Sequence, residues 1–474
     1  MVLSKPSTTA WGQLVPPLPK LARPLRVAMP CVGIDGCGSA LDSMGVDYIP
    51  CNVYDLDERY KKHLVGHFKN NADGLFLGKK SGNLTNMALK DLKLPFDLLC
   101  SGPPCPPWAG NGNKKGLHDK RADVFVEVVK WTVRAIKNGG LLAVILENVL
   151  GVLQDVGGKM SFMKQLLATL EKEVPEFTWE VVTLKAVDYY LAQSRVRVFL
   201  RGMRNNLLGS AGVLPAVLEP FGKRDLAEFL DMSLPATPRE QLTRPQQQNL
   251  NNFINKLKGD KKAGLLDDVS FAIFAVDRAE GKVFQARYHK DICPTLTCNN
   301  KYLFIVSVTD LGEKADDEML CFRFFHPRER FRLQGFDAKI YDKLSSDACA
   351  LKAAGNAYPV PLLVANLHGI VNTIANSTIK LKSWPQDIMK VDDEHILAQV
   401  ESALRAPPTK KTQVKKKPAA LEGQVKKRPA KPGDPTTEQV KKRPASVAPK
   451  MKRKHAVKRQ RLPEAAWISS SSSS

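Results

Sequence analysis

Along the first half of the chain, short apolar stretches alternate with segments of helical periodicity. Residues 25–31, 46–53 and 96–100 have the length and content of strands. Residues 141–146 form an unbroken apolar run, as a strand buried on both faces requires. Val124, Val128, Trp131 and Ala135 recur at steps of three or four and predict a helix over 119–138, ended by Gly139-Gly140. A second amphipathic helix is predicted over 162–172, with strands over 178–184 and 196–201. Strands alternating with helices point to an α/β fold with a mostly parallel sheet.

The chemistry-bearing residues fall at the ends of these strands, where open α/β sheets bind ligands. The first strand runs into Gly33-Ile34-Asp35-Gly36-Cys37-Gly38 and then a helix. Strand, glycine turn and helix cradle nucleotide-like cofactors, although a plain tight turn has the same spacing. The second strand runs into Tyr54-Asp55-Leu56-Asp57: an aromatic to stack on a base and an acid to hold a ribose hydroxyl, or simply the opening of the next helix. The third runs into Ser101-Gly102-Pro103-Pro104-Cys105-Pro106-Pro107-Trp108. Four prolines around Cys105 forbid helix and fix φ, so the loop holds a thiol rigidly at a strand end. The fourth stops at Glu147-Asn148-Val149, a carboxylate ending a buried strand. In Gln193-Ser194-Arg195-Val196-Arg197, alternation puts Arg195 and Arg197 on one face, suited to a phosphate or carboxylate, or to solvent at an edge.

Beyond residue 203 the pattern weakens. Polar runs such as Gln246-Gln247-Gln248-Asn249 dominate 204–290, with one strand-like run at 269–276, and this reads as a smaller domain. Order returns at Pro294-Thr295-Leu296-Thr297, at Arg332-Leu333-Gln334-Gly335-Phe336 and at Gly355-Asn356-Ala357-Tyr358-Pro359-Val360, before a helix over 362–374. The expected organisation is a flexible arm over 1–22, a first catalytic part over 23–203, a recognition region over 204–290, a closing part over 291–380, and a linker with a basic tail over 381–474, the linker tapering through a short helix over 381–405.

Charge separates the tail from the body. The 474 residues carry a net charge of +23; residues 406–474 hold 19 Lys+Arg and 4 Asp+Glu, a net of +15, which leaves +8 for the rest. The tail repeats Gln-Val-Lys-Lys-Lys/Arg-Pro-Ala at Gln413, Gln424 and Gln439, too polar and proline-rich to bury a core, so disorder is expected. The basic run from Lys450 to Arg461 reads as a nuclear localisation signal or a nucleic-acid patch, and implies a nuclear protein. Nine cysteines without a CxxC pair or a His-rich cluster argue against a metal site and for reduced thiols. No stretch approaches the roughly 18 apolar residues of a membrane span, so no membrane partner is expected.

Seven blocks in this order, from the glycine turn through PPC, ENV, QxRxR and a variable region to RLQGF and GNxxPV, resemble the DNA (cytosine-5) methyltransferase family over residues 26–374. The resemblance implies a Rossmann-like S-adenosylmethionine-dependent methyltransferase fold of the seven-stranded type, with a small inserted target-recognition domain. It implies methyl transfer from S-adenosylmethionine to C5 of cytosine in DNA. Cys105 would attack C6 of a flipped base, Glu147 would hold N3, and Arg195 and Arg197 would contact the base O2 and order the loop. The implied cofactor-binding set is Cys31, Gly33, Gly36, Tyr54, Asp55, Asn83, Pro104 and Asn356. Departures cluster there. Met29 and Cys31 stand where the family has Asp and Phe, Val53 and Asn83 where it has acids, and Pro106 where a Gln follows the cysteine. Methylation of RNA, and a catalytically silent nucleic-acid-binding relative, are the alternatives; protein partners are not indicated.

Overall fold

The structure, a computed structural model, describes residues 10–68, 84–86, 89, 92–110, 115–138, 140–155, 160–277, 288–298, 303–308, 322–377 and 393–406. A six-stranded sheet lies at its centre. It comprises β1 (Leu25–Pro30), β2 (Tyr48–Tyr54), β3 (Leu98–Ser101), β4 (Ala143–Asn148), β5 (Phe177–Lys185) and β7 (Val196–Arg204), in the order β2-β1-β3-β4-β7-β5. Among the described residues this is one strand fewer than the resemblance implied. β1 to β4 run parallel. β7 runs antiparallel to both β4 and β5.

Alternation along the inner strands sorts their side chains into two cores. Val27, Met29, Leu98, Cys100, Ala143 and Ile145 face α1 (Gly36–Ser43), α2 (Glu58–His67) and α8 (Val360–Asn376). Ala28, Leu99, Val144 and Leu146 face α3 (Ala122–Lys137), α4 (Phe162–Glu173) and α9 (Glu394–Arg405). Burial on both faces is why β4 is apolar without interruption until Glu147. The expected α/β architecture, a mostly parallel sheet with helices on both faces, is present.

The small domain is differently bounded than the sequence suggested. Its four-stranded sheet has the order β12-β11-β8-β9, from β8 (Phe271–Ala275), β9 (His289–Lys290), β11 (Leu303–Ser307) and β12 (Phe322–Phe324). Two of these strands lie beyond residue 290, so the boundary there is corrected. Between β9 and β11 the chain returns to the large domain, where β10 (Cys293–Pro294) pairs with β6 (Gln193–Ser194). The polar region read as loops holds a 19-residue helix, α5 (Arg244–Lys262), which opens on a Thr243–Gln246 capping box. Its Leu250, Phe253, Ile254 and Leu257 pack on the sheet, with Phe253 stacked on Phe274 at 4.0 Å.

Both ends of the described chain are more ordered than expected. Residues 10–22 are not a loose arm: Trp11, 3% exposed, donates its indole N–H to the Gly335 carbonyl at 3.1 Å. His368 Nε2 lies 3.0 Å from the Pro16 carbonyl oxygen. The linker from 381 contains α9, which lies across α3 and α4. Leu397, Val400 and Leu404 are buried there. Arg134 grips Asp393 through Nε and Nη2, the latter at 2.6 Å. Lys130 meets Glu401 at 3.1 Å, and Arg405 meets Asp123 at 2.9 Å. Gln165 Nε2 donates to the carbonyl of Ala403 at 2.6 Å, meeting one of the carbonyls a helix end leaves unbonded. The expected disorder of the tail concerns residues 407–474, which lie outside the described residues.

Two consequences follow for stability. Asp393 is almost wholly buried against Arg134. Asp393→Ala therefore removes the buried carboxylate that faces the Arg134 guanidinium and is expected to destabilise the fold by about 3 kcal/mol, read as the urea midpoint at constant m-value. A chain ending at residue 406 should melt like the full chain. One ending at 392 should melt far lower, because three buried apolar side chains worth roughly 1.5–3 kcal/mol each are removed.

Candidate active site

The loop after β3 is fastened from below before it reaches Cys105. Ser101 Oγ donates to the Pro30 carbonyl at 2.6 Å, tying the end of β3 to the end of β1. Asn148 Nδ2 donates to the Pro103 carbonyl at 3.2 Å, tying the loop to the end of β4. The amides of Trp108 and Ala109 both donate to the Cys105 carbonyl at 3.0 Å, which turns the chain directly after the thiol. Trp108 then sinks between Phe125 and Phe162, stacked on Phe162 at 4.7 Å. A side chain at Gly151 would meet the Trp108 carbonyl oxygen at 1.9 Å, so glycine is required where the two loops cross. Cys105 is left half-buried at the carboxyl edge of the sheet, with Pro104 half-buried before it.

Glu147, the fifth residue of β4, is 8% exposed. Arg197 Nε lies 2.7 Å from its Oε1, while Arg197 Nη1 donates to the Val196 carbonyl at 2.7 Å. Burial pushes the Cys105 thiol up, and the Glu147 charge adds to this; Arg197 and then Arg195 pull it back, without cancelling the rise. In the free protein the thiolate is thus a minor species at neutral pH.

The two arginines have separate duties, which alternation alone did not show. Arg195, 2% exposed, gives Nη1 to the Leu296 carbonyl at 2.6 Å and Nη2 to the Ala357 carbonyl at 2.7 Å. Its hydrogen bonds knit the closing part of the domain to the β6–β7 junction. Burial lowers the Arg195 guanidinium, the nearby Arg197 adds to this, and the group is still charged at neutral pH. Gln193 works beside it: Nε2 donates to the Leu333 carbonyl at 2.7 Å, and Oε1 accepts from the Leu296 amide at 3.1 Å. Gln334 Nε2 in turn donates to the Ala354 carbonyl at 2.7 Å. The sequence marked the segments containing Gln193 and Gln334 but not this bracing.

The glycine turn lies one strand over. Gly33 has φ +59 and nothing within 4 Å of where a side chain would begin, so the turn is open on that side. Cys31 (φ +58) and Asp35 (φ +64) hold left-handed conformations without being glycine, a sign of imposed backbone strain. Asp35 caps α1 through the Gly38 amide at 2.7 Å and lies 3.0 Å from His67 Nε2. Asp55 clamps the turn: Oδ2 accepts from the Gly33 amide and Oδ1 from the Asp57 amide, both at 2.8 Å. Burial raises the Asp55 carboxyl against the pull of these two amides. Each oxygen keeps a second lone-pair direction. Leu56, 63% exposed, follows it and is a residue sequence reading passed over.

Two expectations at this edge are corrected. Tyr54 is fully buried and meets Trp131 edge-on at 5.3 Å, so its ring belongs to the α3 core and offers no face to a ligand. A bulge at Asn52 (φ +46) shifts the register of β2 just before it. Gly36 is not an open cradle either, since a side chain there would meet Tyr358 at 2.5 Å. Asn356 is exposed at the end of α7 (Asp347–Asn356); one turn earlier Lys352 reaches Asp57 at 2.9 Å. Asn83 lies outside the described residues. The open turn at Gly33, the fixed carboxylate of Asp55 and the apolar Leu56 fit S-adenosylmethionine, with its backbone-binding tail, ribose diol and flat base.

The family model described as C-5 cytosine-specific DNA methylase matches residues 31–372. A type II methyltransferase, M.DsaV of Dactylococcopsis salina, is 25% identical over 351 residues, covering 73% of this chain and 87% of that protein. M.NgoPII of Neisseria gonorrhoeae, another type II methyltransferase, is 24% identical over 357 residues, covering 73% and 94%. Among solved structures, an Entamoeba histolytica methyltransferase covers 73% of this chain and 98% of its own, at 15% identity and a TM-score of 0.49. A thiol on a proline-braced loop, a paired carboxylate and an open glycine turn stand along one sheet edge, inside the stretch that the family model spans, and the chain belongs to the C-5 cytosine-specific DNA methylases, which methylate cytosine with S-adenosylmethionine as donor.

Proposed function

We propose that this protein methylates C5 of cytosine in DNA through a covalent bond from Cys105 to C6 of a flipped base. The observation that carries the reading is the convergence of Cys105, Glu147 and Arg197 at the ends of β3, β4 and β7. Cytosine C5 is a weak nucleophile until a thiolate adds at C6, which moves the ring's electron pair to C5. Bound S-adenosylmethionine supplies the electrophilic methyl group. Negative charge building on the ring at N3 and O2 is met at N3 by the Glu147 carboxyl, whose orientation Arg197 fixes. Loss of the C5 proton then lets the Cys105 thiolate leave. A half-buried thiol is out of reach of a stacked base, so the cytosine has to leave the helix. Gly33, Asp55 and Leu56 hold the donor, and Asn356 lies at the same edge. Lys450 to Arg461 support delivery to a nucleus, and the +15 tail supports a polyanionic partner.

Incorporation of labelled methyl into a cytosine-containing duplex, with tRNA-like RNA in parallel, tests the reading. Transfer to DNA is expected; transfer to RNA alone, or to neither, would replace it with the corresponding alternative. Cys105→Ser should fold and lose turnover. Glu147→Gln should lower kcat by roughly 10²–10⁴-fold; an unchanged kcat with a raised KM would limit Glu147 to binding.

The raised thiol predicts a pH profile. Below the thiol's pKa the thiolate fraction grows about tenfold per pH unit. Alkylation of Cys105 by iodoacetamide, followed on its own peptide by mass spectrometry, should therefore still be climbing above pH 9. Arg197→Ala removes a charge that favours the thiolate and should move the curve to higher pH. A plateau near neutrality would show an activated thiolate in the free protein.

Deleting residues 407–474 should leave turnover on short duplexes nearly intact at low salt. Each phosphate the tail neutralises contributes about −0.9 to the slope of log K against log salt, so the deletion should flatten the slope by a few units. Equal slopes for the two chains, together with equal nuclear accumulation, would assign both properties to the body.

A further inference from the structure

Tyr358 lies between α7 and α8 and takes no part in the chemistry above. Its ring is buried, and its hydroxyl has no hydrogen-bond partner among the described residues. The preceding carbonyl, that of Ala357, is held by Arg195 at 2.7 Å. The two edges of the ring face different loops. On one edge, a side chain at Gly36 would begin 2.5 Å from Cε2 and 2.7 Å from Cδ2. On the other, a side chain at Gly102 would begin 2.8 Å from Cε1 and 2.9 Å from Cδ1. Both distances are shorter than packed carbon atoms tolerate, so glycine is needed at both positions because the ring is there. Gly36 is three residues beyond the open turn at Gly33. Gly102 is three residues before Cys105, and its missing side chain also abuts Glu147 Oε2 at 3.3 Å.

We propose that Tyr358 is a positioning residue whose ring, wedged between Gly36 and Gly102, sets the distance from the cofactor turn to the nucleophile loop. This rests on the function proposed above. Methyl transfer needs both loops in register: one carries the donor and the other the thiol that activates the acceptor. Thiol addition needs only Cys105, Glu147 and the base. The ring therefore governs transfer and leaves addition alone. An unpartnered buried hydroxyl stabilises nothing, which places the role in the ring itself.

Two rates separate these steps. Thiolate addition at C6 makes C5 basic; uptake of a solvent proton there, loss of the original hydrogen and expulsion of the thiolate exchange the C5 hydrogen with no methyl moved. Release of tritium from C5-labelled cytosine in a duplex, without S-adenosylmethionine, measures addition. Single-turnover methylation at saturating S-adenosylmethionine and DNA measures transfer. Tyr358→Val should keep tritium release within about threefold and lose transfer by roughly 10²-fold, the scale of an ångström's misplacement. Tyr358→Phe keeps the ring and should match the unmodified protein in both. Should the valine variant fail to fold, Gly36→Ala pushes the turn off the ring from the far side and should show the same split. Where the valine variant folds, the double variant Gly36→Ala/Tyr358→Val should transfer faster than Gly36→Ala alone, because the added methyl has space.

Parallel loss of both rates in the valine variant, or loss of neither, would overturn the assignment. So would a phenylalanine variant as slow as valine. An unmodified protein that releases no tritium and transfers no methyl would overturn the proposed function, and this inference with it. Tritium release without transfer in the unmodified protein would leave the thiol chemistry standing and overturn methyl transfer, and the role of Tyr358 with it.

Discussion

The direction of one strand decides where the chemistry stands. β1 to β4 all deliver their carboxyl ends to one edge of the sheet. β7 runs the other way, so its amino end arrives there too, with Asn148 of β4 paired to Val198. Arg197 precedes that pair by one residue and Arg195 by three. Had β7 been parallel, both guanidiniums would have entered at the opposite edge, about six strand residues or roughly 20 Å away. The ion pair from Arg197 to Glu147, the bracing of Leu296 and Ala357 by Arg195, and the β6–β10 pairing all depend on that reversal.

The Glu147–Arg197 pair is a specifying interaction more than a stabilising one. Desolvating two charges costs about what their attraction returns. A lone Glu147 at the end of an apolar strand would be far worse, and that asymmetry holds the carboxylate in a single orientation beside Cys105. The thiol reports the same field. Burial and then Glu147 raise it, the arginines oppose them, and the balance keeps the Cys105 thiol protonated in the free protein. A neutral thiol is also less open to oxidation and stray alkylation than a standing thiolate. Reactivity then depends on what enters the site, which suits a chain carrying nine cysteines.

Much of this was legible because the inner strands are buried twice. Burial on both faces writes itself as unbroken apolar sequence, and the residues that end such runs, Cys105 and Glu147 among them, stand out. Tyr54 was misread because its place on the sheet depends on a bulge at Asn52, a left-handed backbone that side-chain periodicity does not record. α5 was passed over because Gln246 to Asn249 hide its start, although Leu250, Phe253, Ile254 and Leu257 hold helical spacing. The small domain's edge was misplaced because β11 and β12 complete its sheet from beyond a return to the large domain. Pairing of that kind is non-local. Trp11 and the docking of α9 were missed for the same reason, since their partners, Gly335 and α3, are distant in sequence.

α9 also carries a direction. It starts with Asp393 on Arg134, near the last turn of α3, passes Lys130 at Glu401, and ends with Arg405 on Asp123, in the first turn of α3. It therefore runs antiparallel to α3. The first turn of α3 follows the Cys105 loop, and Gln165, which holds the carbonyls ending α9, sits in the first turn of α4 after the Glu147 strand. So the last described residue, Ala406, is at the edge of the sheet where Cys105 and Glu147 stand. The ion pairs along α9 fix that direction, while its Leu397, Val400 and Leu404 cover the apolar faces of α3 and α4.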